Sequence, residues 1–259
     1  MYPLNIINKA TLFFFSIYFF YSKPFESCKI NLFILLRVGI ETMTTALFNP
    51  ETVTLIGVSG KMGAGKDTTA NYLINRFNAL RTKHTDLIWG RHAFADRIKA
   101  TVATMVGAEV ISFYTEEGKN VCYPAWNNKS GRELLQDVGT MMRERYDQNV
   151  WVRTTLEHFD PKKCRWIISD VRRLNEAEEI KRLGGIIIRL EGDPSGLRTR
   201  ATPDKQNHIS ETELDDYAFD AVIENNQLGV EDHLYKKINL LFGLEDVPRF
   251  IKRQHRLDY

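Results

Sequence analysis

Apolar and polar positions follow two different periods along the chain after residue 52. Short apolar runs, typical of buried strands, cover residues 53–59, 166–169, 186–190 and 221–223, with a weaker candidate at 87–89. Between these runs, apolar residues recur every three or four positions, which is typical of amphipathic helices. The helical stripes contain Ala70, Leu73, Phe77 and Leu80; Ile98, Val102, Met105 and Val106; Leu134, Val138 and Met141; Leu174, Ala177, Ile180 and Leu183; and Leu234, Ile238 and Leu241. Alternating strands and helices predict a parallel sheet with helices on both faces and ligands at the carboxyl ends of its strands.

A glycine-rich loop joins the first predicted strand to the first predicted helix. It fits the pattern Gly-x-x-x-x-Gly-Lys, from Gly60 through Gly65 to Lys66. Glycines adopt backbone angles that a Cβ would forbid, so successive N–H groups can point inward at phosphate oxygens. The helix N-terminus adds partial positive charge, and the lysine can reach the outer phosphates of a nucleoside triphosphate. The pattern predicts an α/β fold of the P-loop NTPase type that binds ATP through Gly60, Gly63, Ala64, Gly65, Lys66, Asp67 and Thr68.

Two other interpretations of this loop fit less well. A dinucleotide fingerprint needs Gly-x-Gly-x-x-Gly, whereas this loop reads Gly-x-x-Gly-x-Gly, and no acidic residue ends a second strand. A simple glycine-rich turn with an exposed lysine is the other interpretation. It fits less well because the loop is preceded by a predicted strand and followed by a predicted helix, which is the context of a phosphate-binding loop. Asp67 stands where Ser or Thr usually follows the lysine and binds Mg²⁺, and Thr68 comes next. Asp67 either meets the metal or caps the helix, and the sequence leaves both roles open.

Composition narrows the class of protein. The chain has 259 residues, enough for one α/β domain or two small ones, and its net charge of +2 implies no strong field for nucleic acid or membranes. The three cysteines, Cys28, Cys122 and Cys164, are far apart and have no metal-ligand spacing. They indicate a reducing compartment rather than a disulfide framework, so we expect a cytoplasmic enzyme.

The two ends of the chain differ from its middle. Residues 1–42 contain aromatic-rich runs at 12–21 and 32–36, and the first run is about half the length that spans a bilayer. It resembles a signal-peptide core, but no small-x-small cleavage site follows it. We favour a translation start at Met43 over a membrane anchor. The folded domain is therefore expected over residues 43–248, followed by a charged tail over 249–259.

Polar residues after the strands suggest the chemistry of the site. Asp170 ends the strand at 166–169, where P-loop proteins place an acidic residue that can hold Mg²⁺ or its water. The other role is an ordinary helix N-cap, but Arg172 and Arg173 follow directly and favour an active site. A long polar segment, residues 191–216, predicts a lid that brings Arg198 and Arg200 to the transferring phosphate, with a plain surface loop as the alternative.

Residues 107–145 contain a region without pattern and then a clear helix. Residues 107–130 show no period and predict an excursion on the substrate side. Ser130 and Glu133 match a capping box, which predicts that a helix begins there. Arg132 and Gln136 lie four residues apart on the helix face opposite the apolar stripe. That face either lines the site or is simply solvated.

Six short motifs occur in one order along the chain. They are residues 60–70 ending in Gly-Lys-Asp-Thr-Thr-Ala, 132–140 (Arg-Glu-Leu-Leu-Gln-Asp-Val-Gly-Thr), 151–153 (Trp-Val-Arg), 170–172 (Asp-Val-Arg), 175–176 (Asn-Glu) and 208–211 (His-Ile-Ser-Glu). Together they resemble the deoxynucleoside monophosphate kinases of bacteriophages and large DNA viruses, over roughly residues 52–240. Asp67, unusual for the general loop pattern, is similar to what that family has at this position.

The resemblance implies ATP-dependent, Mg²⁺-assisted transfer of the γ-phosphate to deoxynucleoside 5′-monophosphates for DNA precursor synthesis. It implies that Gly63, Gly65, Lys66, Asp67 and Thr68 hold ATP. Together with the roles argued from the residues themselves, the predicted catalytic groups are Lys66, Asp170, Arg172, Arg198 and Arg200, and the predicted metal contacts come from Asp67, Thr68 and Asp170. It implies a monophosphate site formed by Lys99, Arg132, Gln136, Gly139, Thr140, Trp151, Asp170, Arg172 and Glu176. The 208–211 motif would belong to the lid or its hinge. Trp151 could stack on a base or fill the core, and the sequence favours neither.

The expected partners are small-molecule nucleotides, without stable nucleic-acid binding and without a membrane contact of the kinase domain. A homodimer is compatible with the sequence, which fixes neither the oligomeric state nor the preferred base. Two alternatives remain open. One is another P-loop small-molecule kinase, for phosphomevalonate or dephospho-coenzyme A, and the other is a non-catalytic ATP-binding regulator. The absence of the guanine-reading pattern Asn-Lys-x-Asp from the sequence disfavours a GTPase.

Overall fold

The computed structural model describes residues 46–82, 86–227 and 231–244. Its central sheet has five parallel strands in the order β2-β5-β1-β6-β7. These strands are β1 (Leu55–Gly60), β2 (Trp89–His92), β5 (Arg165–Val171), β6 (Ile186–Glu191) and β7 (Ala221–Glu224), and a separate antiparallel pair is formed by β3 (Cys122–Tyr123) and β4 (Lys129–Ser130). β1 lies at the centre and all six of its residues are buried. The glycine loop therefore begins at the middle of the sheet's carboxyl edge.

Helices connect the strands and cover the sheet. Within the described residues they are α1 (Lys66–Ala79), α2 (Phe94–Val106), α3 (Glu116–Asn120), α4 (Gly131–Arg145), α5 (Val150–Leu156), α6 (Leu174–Arg182), α7 (Pro203–Gln206), α8 (Ile209–Thr212) and α9 (Glu231–Phe242). α4 begins with the predicted capping box between Ser130 and Glu133. None of the helices in this described part is long and apolar enough to cross a membrane.

Alternate residues of β1 face opposite sides of the sheet, as the strand period requires. Ile56 and Val58 pack with α1 and α9, whereas Leu55 packs with α5 and α6 on the other side. A Cβ at Gly57 would lie 3.0 Å from side-chain atoms of both Ile180 and Val171, so a glycine here lets α6 approach closely. The predicted parallel sheet with helices on both faces is confirmed.

A third apolar cluster lies among the helices that follow β2. It joins α2, α4 and α5 through Val102, Leu134, Val138 and Trp151. Phe113, which is fully buried, belongs to the same cluster and comes from a 3₁₀ turn, Val110–Tyr114. This buried ring anchors part of the segment that the sequence pattern left without structure.

One predicted strand has other bounds in the structure, and two segments contain short elements that the pattern did not show. The excursion at 107–130 contains two 3₁₀ turns, α3 and the β3–β4 pair, because elements of two to five residues are too short to show a period. The strand predicted at 87–89 instead runs from Trp89 to His92, since its bounds are set by pairing with β5. The segment 191–216 contains the short helices α7 and α8. The predictions for residues 1–42 and 249–259 lie outside the described residues.

Candidate active site

A pocket of about 820 Å³ opens at the carboxyl ends of β1 and β5. The glycine loop forms one side of it, together with the start of α1. Residues from β2, α2, α3, α4 and α6, from the end of β5, and from the segments after β6 and β7 form the rest. This is where a parallel sheet is expected to bind a ligand.

The glycine loop, residues 60–68, is called the phosphate loop below. Gly63 and Gly65 have φ values of 78° and 94°, in the left-handed region that favours glycine. A Cβ on Gly63 would lie 2.5 Å from Asp193 Oδ1, and one on Gly65 would lie 2.8 Å from Asn225 Nδ2. The Asn225 amide also donates to the Ala64 carbonyl at 3.0 Å. The loop is thus held from outside by groups that leave room only for glycines.

Gly60 and Ala64 are buried at the base of this loop and supply backbone rather than pocket surface. Lys66 lies at its mouth, where its Nζ donates to the carbonyls of Gly60 at 2.7 Å and Lys61 at 2.9 Å. Burial, and to a smaller extent Arg172, lower the pKa of Lys66 to about 7, although Glu211, Asp67 and Asp170 oppose the shift. The side chain with the strongest expected role therefore titrates near neutral pH.

Asp67 and Thr68 both line the pocket. The Asp67 carboxylate pairs with Arg91 at 2.6 Å, and the same guanidinium donates to Ser169 Oγ at 3.0 Å. Gly65 is the N-cap of α1 and no side chain caps this helix end. The capping role considered for Asp67 is therefore wrong, and its carboxylate instead faces the ligand side.

Asp170 is the last but one residue of β5 and lines the pocket. Its two carboxylate oxygens accept the backbone N–H groups of Phe94 at 2.8 Å and Ala95 at 2.9 Å. It therefore caps a helix, but this helix is α2 and not the one that follows it in the chain. Burial raises the pKa of Asp170, and the two N–H groups oppose this shift. The residue joins the start of α2 to the phosphate-loop edge of the sheet.

Five cations from other parts of the chain line the same pocket as the phosphate loop, and each is paired with a carboxylate. The pairs of this cationic wall are Lys99 with Asp96 at 3.1 Å, Arg132 with Glu116, Arg143 with Glu176 at 3.6 Å, Arg172 with Glu211, and Arg173 with Glu213 at 2.7 Å. Gln136 and Thr140 lie beside them in the pocket. The structure thus brings together Lys99, Arg132 and Arg172, which the sequence placed in one site.

Sequence reasoning missed several residues that line this pocket. Arg143 follows Arg132, Gln136 and Thr140 on the same face of α4, so extending the helical spacing by one more turn would have found it. Arg91 and Lys119 had no such signal. Arg91 belongs to a polar edge strand, and Lys119 lies on α3 within the segment without pattern.

Glu176 lies at the base of the cationic wall and is 3% exposed. Its carboxylate accepts the N–H groups of Arg172 at 2.8 Å and Arg173 at 3.0 Å. Burial and the neighbouring Asp170 raise the pKa of Glu176 to about 7, while Arg143 and the two N–H groups oppose the rise. Its contacts show that it fixes the backbone from which two of the wall's arginines project.

Trp151 is not a pocket residue. It is 3% exposed, packs in the third apolar cluster, and its Nε1–H donates to the Gly139 carbonyl at 3.0 Å. Base stacking by this ring is therefore excluded in this structure, and the core-filling alternative is correct. Gly139 is also buried, where a Cβ would lie 3.3 Å from Ile98 Cδ1. It lets α2 and α4 pack closely and does not line the pocket.

Arg198 and Arg200 do not line the pocket either. The Arg198 N–H donates to Asp193 at 3.3 Å, and the Arg200 guanidinium donates to the Ser195 carbonyl at 2.8 Å. The segment 191–216 instead reaches the pocket through Pro194, Ser195, Leu197, His208 and Ser210. The predicted lid therefore touches the site, but with other residues than the two arginines.

Comparison with known proteins agrees with this geometry. Residues 91–238 match the family model of deoxynucleotide monophosphate kinases. A protein of Acanthamoeba polyphaga mimivirus whose name is that of a deoxynucleotide monophosphate kinase is 32% identical over 190 residues, covering 67% of this chain and 89% of the relative. The family match begins after the phosphate loop, so the loop is a separate observation, which favours binding of a nucleotide phosphate. The chain therefore belongs to the deoxynucleotide monophosphate kinase family and is a phosphotransferase that acts on nucleotide monophosphates.

Proposed function

We propose that this kinase transfers the γ-phosphate of ATP, with Mg²⁺, to a deoxynucleoside 5′-monophosphate and so supplies diphosphates for DNA precursor synthesis. One observation supports this most directly. The phosphate loop and the cationic wall face the same pocket, so two phosphate-bearing ligands can meet there. Positioning and charge neutralisation account for most of the acceleration in phosphoryl transfer.

The phosphate loop is the donor side of this proposal. Its backbone N–H groups and the N-terminus of α1 favour the phosphates of ATP. Lys66 neutralises charge on the transferring group. Its ammonium form is stabilised by a nearby anion, which offsets the pKa lowered to about 7 by burial.

The cationic wall is the acceptor side. Arginine forks onto phosphate oxygens in two-point contacts, and Arg132 and Arg172 are the two arginines that we assign to the acceptor phosphate. Arg132 is paired with the exposed Glu116, so binding of the acceptor exchanges one anionic partner of this arginine for another. Arg172 has five N–H donors and can contact the acceptor while it keeps the buried Glu211 as a partner. The acceptor is itself an anion at neutral pH, and the transfer needs no strong general base.

The residues at the phosphate loop also fit Mg²⁺. Among the described residues there is no group of three or more His, Cys, Asp or Glu side chains that could hold a metal alone. Mg²⁺ in kinases usually keeps several waters and takes one or two protein oxygens together with substrate phosphates. Asp67, Thr68 and Asp170 line the pocket and offer such oxygens. When bound, the ion would offset charge on the donor phosphates.

We extend the proposal to the segment 191–216 as a lid that excludes water during transfer. Arg198 and Arg200 would reach the transferring phosphate only if this segment moved further over the pocket. We also propose that residues 43–248 form the kinase domain and that the reaction takes place in the cytoplasm, that of the host if the gene is viral.

A substrate panel tests the proposed function. The protein is incubated with ATP and Mg²⁺ and with dTMP, dGMP, dCMP, dAMP or the matching ribonucleotides, and the diphosphate formed is measured. We expect one or more deoxynucleotides to be phosphorylated faster than their ribonucleotide counterparts. Transfer to phosphomevalonate or dephospho-coenzyme A instead, or tight ATP binding without any transfer, would contradict the proposal.

A further inference from the structure

Glu211 lies between the phosphate loop and the cationic wall and touches both. Its side chain is 3% exposed. One carboxylate oxygen, Oε2, accepts the N–H of Met62 in the phosphate loop at 2.6 Å. The other, Oε1, pairs with the guanidinium of Arg172. A single buried carboxylate thus contacts the donor side and the acceptor side at once.

These two contacts join parts of the chain that are far apart in sequence. Met62 follows β1 and lies 149 positions from Glu211, whereas Arg172 follows β5 and lies 39 positions from it. Loss of the carboxylate would leave a loop N–H and a partly buried guanidinium without an acceptor, which is costlier than the loss of an exposed pair. The position of each group therefore depends on the same side chain.

A second bridge from the same segment supports this arrangement. Asp215 accepts Lys61 Nζ at 2.7 Å and the Arg189 guanidinium at 3.1 Å, and Arg189 also donates to Ser59 Oγ at 3.2 Å. The segment that contains Glu211 and Asp215 therefore holds the phosphate loop at two consecutive residues. Glu211 also acts on the loop's lysine, since its charge raises the pKa of Lys66 against the effect of burial.

We propose that Glu211 is a positioning residue that couples the two subsites, holding the Met62 amide with one oxygen and Arg172 with the other. The inference deepens the proposed function and rests on it. ATP fixes the phosphate loop when it binds, the loop fixes Glu211 through the Met62 N–H, and Glu211 then holds Arg172 in place for the acceptor. Binding of one nucleotide therefore strengthens binding of the other, by the same factor in both directions.

The variant Glu211→Gln tests this coupling. It keeps the size of the side chain but has one acceptor oxygen and no charge, so it cannot serve both partners. Calorimetry gives the Kd of the preferred monophosphate with and without a non-hydrolysable ATP analogue and Mg²⁺. We expect the ratio of the two Kd values to fall towards one in the variant. We also expect the ATP Kd and the acceptor KM each to rise about 10-fold, the usual cost of a buried group left unpaired.

Glu213→Gln is the matched control. Glu213 lies on the same segment, pairs with Arg173 at 2.7 Å and accepts the Leu174 N–H at 2.9 Å, but these contacts lie away from the phosphate loop. Loss of the Glu213 carboxylate measures the effect of loosening the segment alone. We therefore expect a drop in Tm similar to that of Glu211→Gln, but an ATP Kd within about two-fold of wild type. An unchanged Kd ratio in Glu211→Gln, or an equal change of ATP Kd in Glu213→Gln, overturns the inference.

A measurement without turnover separates this inference from the proposed function. Hydrogen exchange of the Met62 amide in the nucleotide-free protein should become faster in Glu211→Gln than in wild type or Glu213→Gln, because the N–H loses its acceptor. An unchanged exchange rate would show that Glu211 does not hold the Met62 amide, and the coupling depends on that contact. If the wild-type protein phosphorylates no deoxynucleotide while this exchange effect is present, the proposed function fails and the Glu211 contact stands.

Discussion

The phosphate loop and the cationic wall line the same pocket, yet the protein builds them in different ways. The loop is one contiguous stretch, residues 60–68, whose proposed binding groups are backbone N–H groups and the side chain of Lys66. The wall is assembled from side chains on α2 and α4 and from the two arginines between β5 and α6, and every one of its five cations is paired with a carboxylate. One side is shaped by backbone conformation and the other by ion pairs.

This difference has consequences for binding and for mutation. The backbone groups of the loop are held by glycine conformations and by contacts from Asn225 and Glu211. The exposed pair of Arg132 with Glu116 must rearrange, because the acceptor phosphate competes with this carboxylate for the same arginine. Changes in the loop should therefore act on catalysis, whereas changes in the wall should alter acceptor affinity in either direction. Five predictions test this contrast, in order of decreasing effect.

Replacing Lys66 with methionine should abolish transfer, with a loss of about 1,000-fold or more, because no other cation replaces its contact with the donor phosphates. The fold should survive with an unchanged or higher Tm, since burial of the ammonium is unfavourable and lowers its pKa to about 7. Steady-state kinetics and thermal unfolding check both parts. Lys181→Met is the control, because it removes only the exposed ion pair between Lys181 on α6 and Asp220. Turnover above a tenth of wild type in Lys66→Met would refute the role of the loop.

Replacing Arg132 with alanine should raise the acceptor KM by about 10-fold and leave the ATP KM nearly unchanged, because this arginine belongs to the wall and not to the loop. Initial rates with each nucleotide varied in turn give the two constants. The contrast between the two sides would break down if both constants rose together, or if the acceptor KM did not change.

Replacing Trp151 with phenylalanine should lower the free energy of unfolding by about 1–3 kcal/mol, because the ring is buried and its N–H bond to Gly139 is lost. The effect should fall on stability rather than on the acceptor KM. Denaturant unfolding and kinetics below the transition measure the two effects separately. Trp126→Phe is the control, since Trp126 is 37% exposed and should cost little. A change confined to the acceptor KM would restore the base-stacking role.

Binding of ATP with Mg²⁺ should be accompanied by proton uptake, because the pKa of free Lys66 is lowered to about 7 and anionic phosphates raise it. The free protein therefore loses this charge as pH rises through about 7, and the apparent ATP affinity should fall over the same range. The groups that act on this lysine are Arg172, which lowers its pKa, and Glu211, Asp67 and Asp170, which raise it. Calorimetry at pH 7.5 in buffers of different ionisation enthalpy measures the uptake. Equal uptake in Lys66→Met would assign the proton to another group.

Replacing Glu116 with glutamine should lower the acceptor KM by about two-fold, the smallest effect, because this carboxylate competes with the acceptor for Arg132 and Lys119. Its pairs are exposed, so the gain should be modest and should shrink at high salt. The acceptor KM measured at low and high ionic strength tests this. An increase in KM would mean that Glu116 positions Arg132 rather than competing for it.

The sequence by itself determined the elements that depend on local physics. Strand and helix periods gave the parallel sheet, and the loop from Gly60 to Lys66 could be identified because its glycines, lysine and flanking elements are neighbours in the chain. The position of Asp170 at the pocket was predictable because the residue comes at the end of an apolar strand. The start of α4 was predictable from the capping box at Ser130. Each of these signals lies within about one turn or one strand of the residue that it describes.

Only the tertiary structure decided which groups face each other across the pocket. Glu211 lies 39 positions from Arg172 and 149 positions from Met62, so no spacing in the sequence could indicate that it contacts both. The packing of α2, α4 and α5 placed the Trp151 ring in the core. Pairing with β5 set the bounds of β2. Long-range ion pairs and packing depend on how elements cross in space, which periodicity does not record.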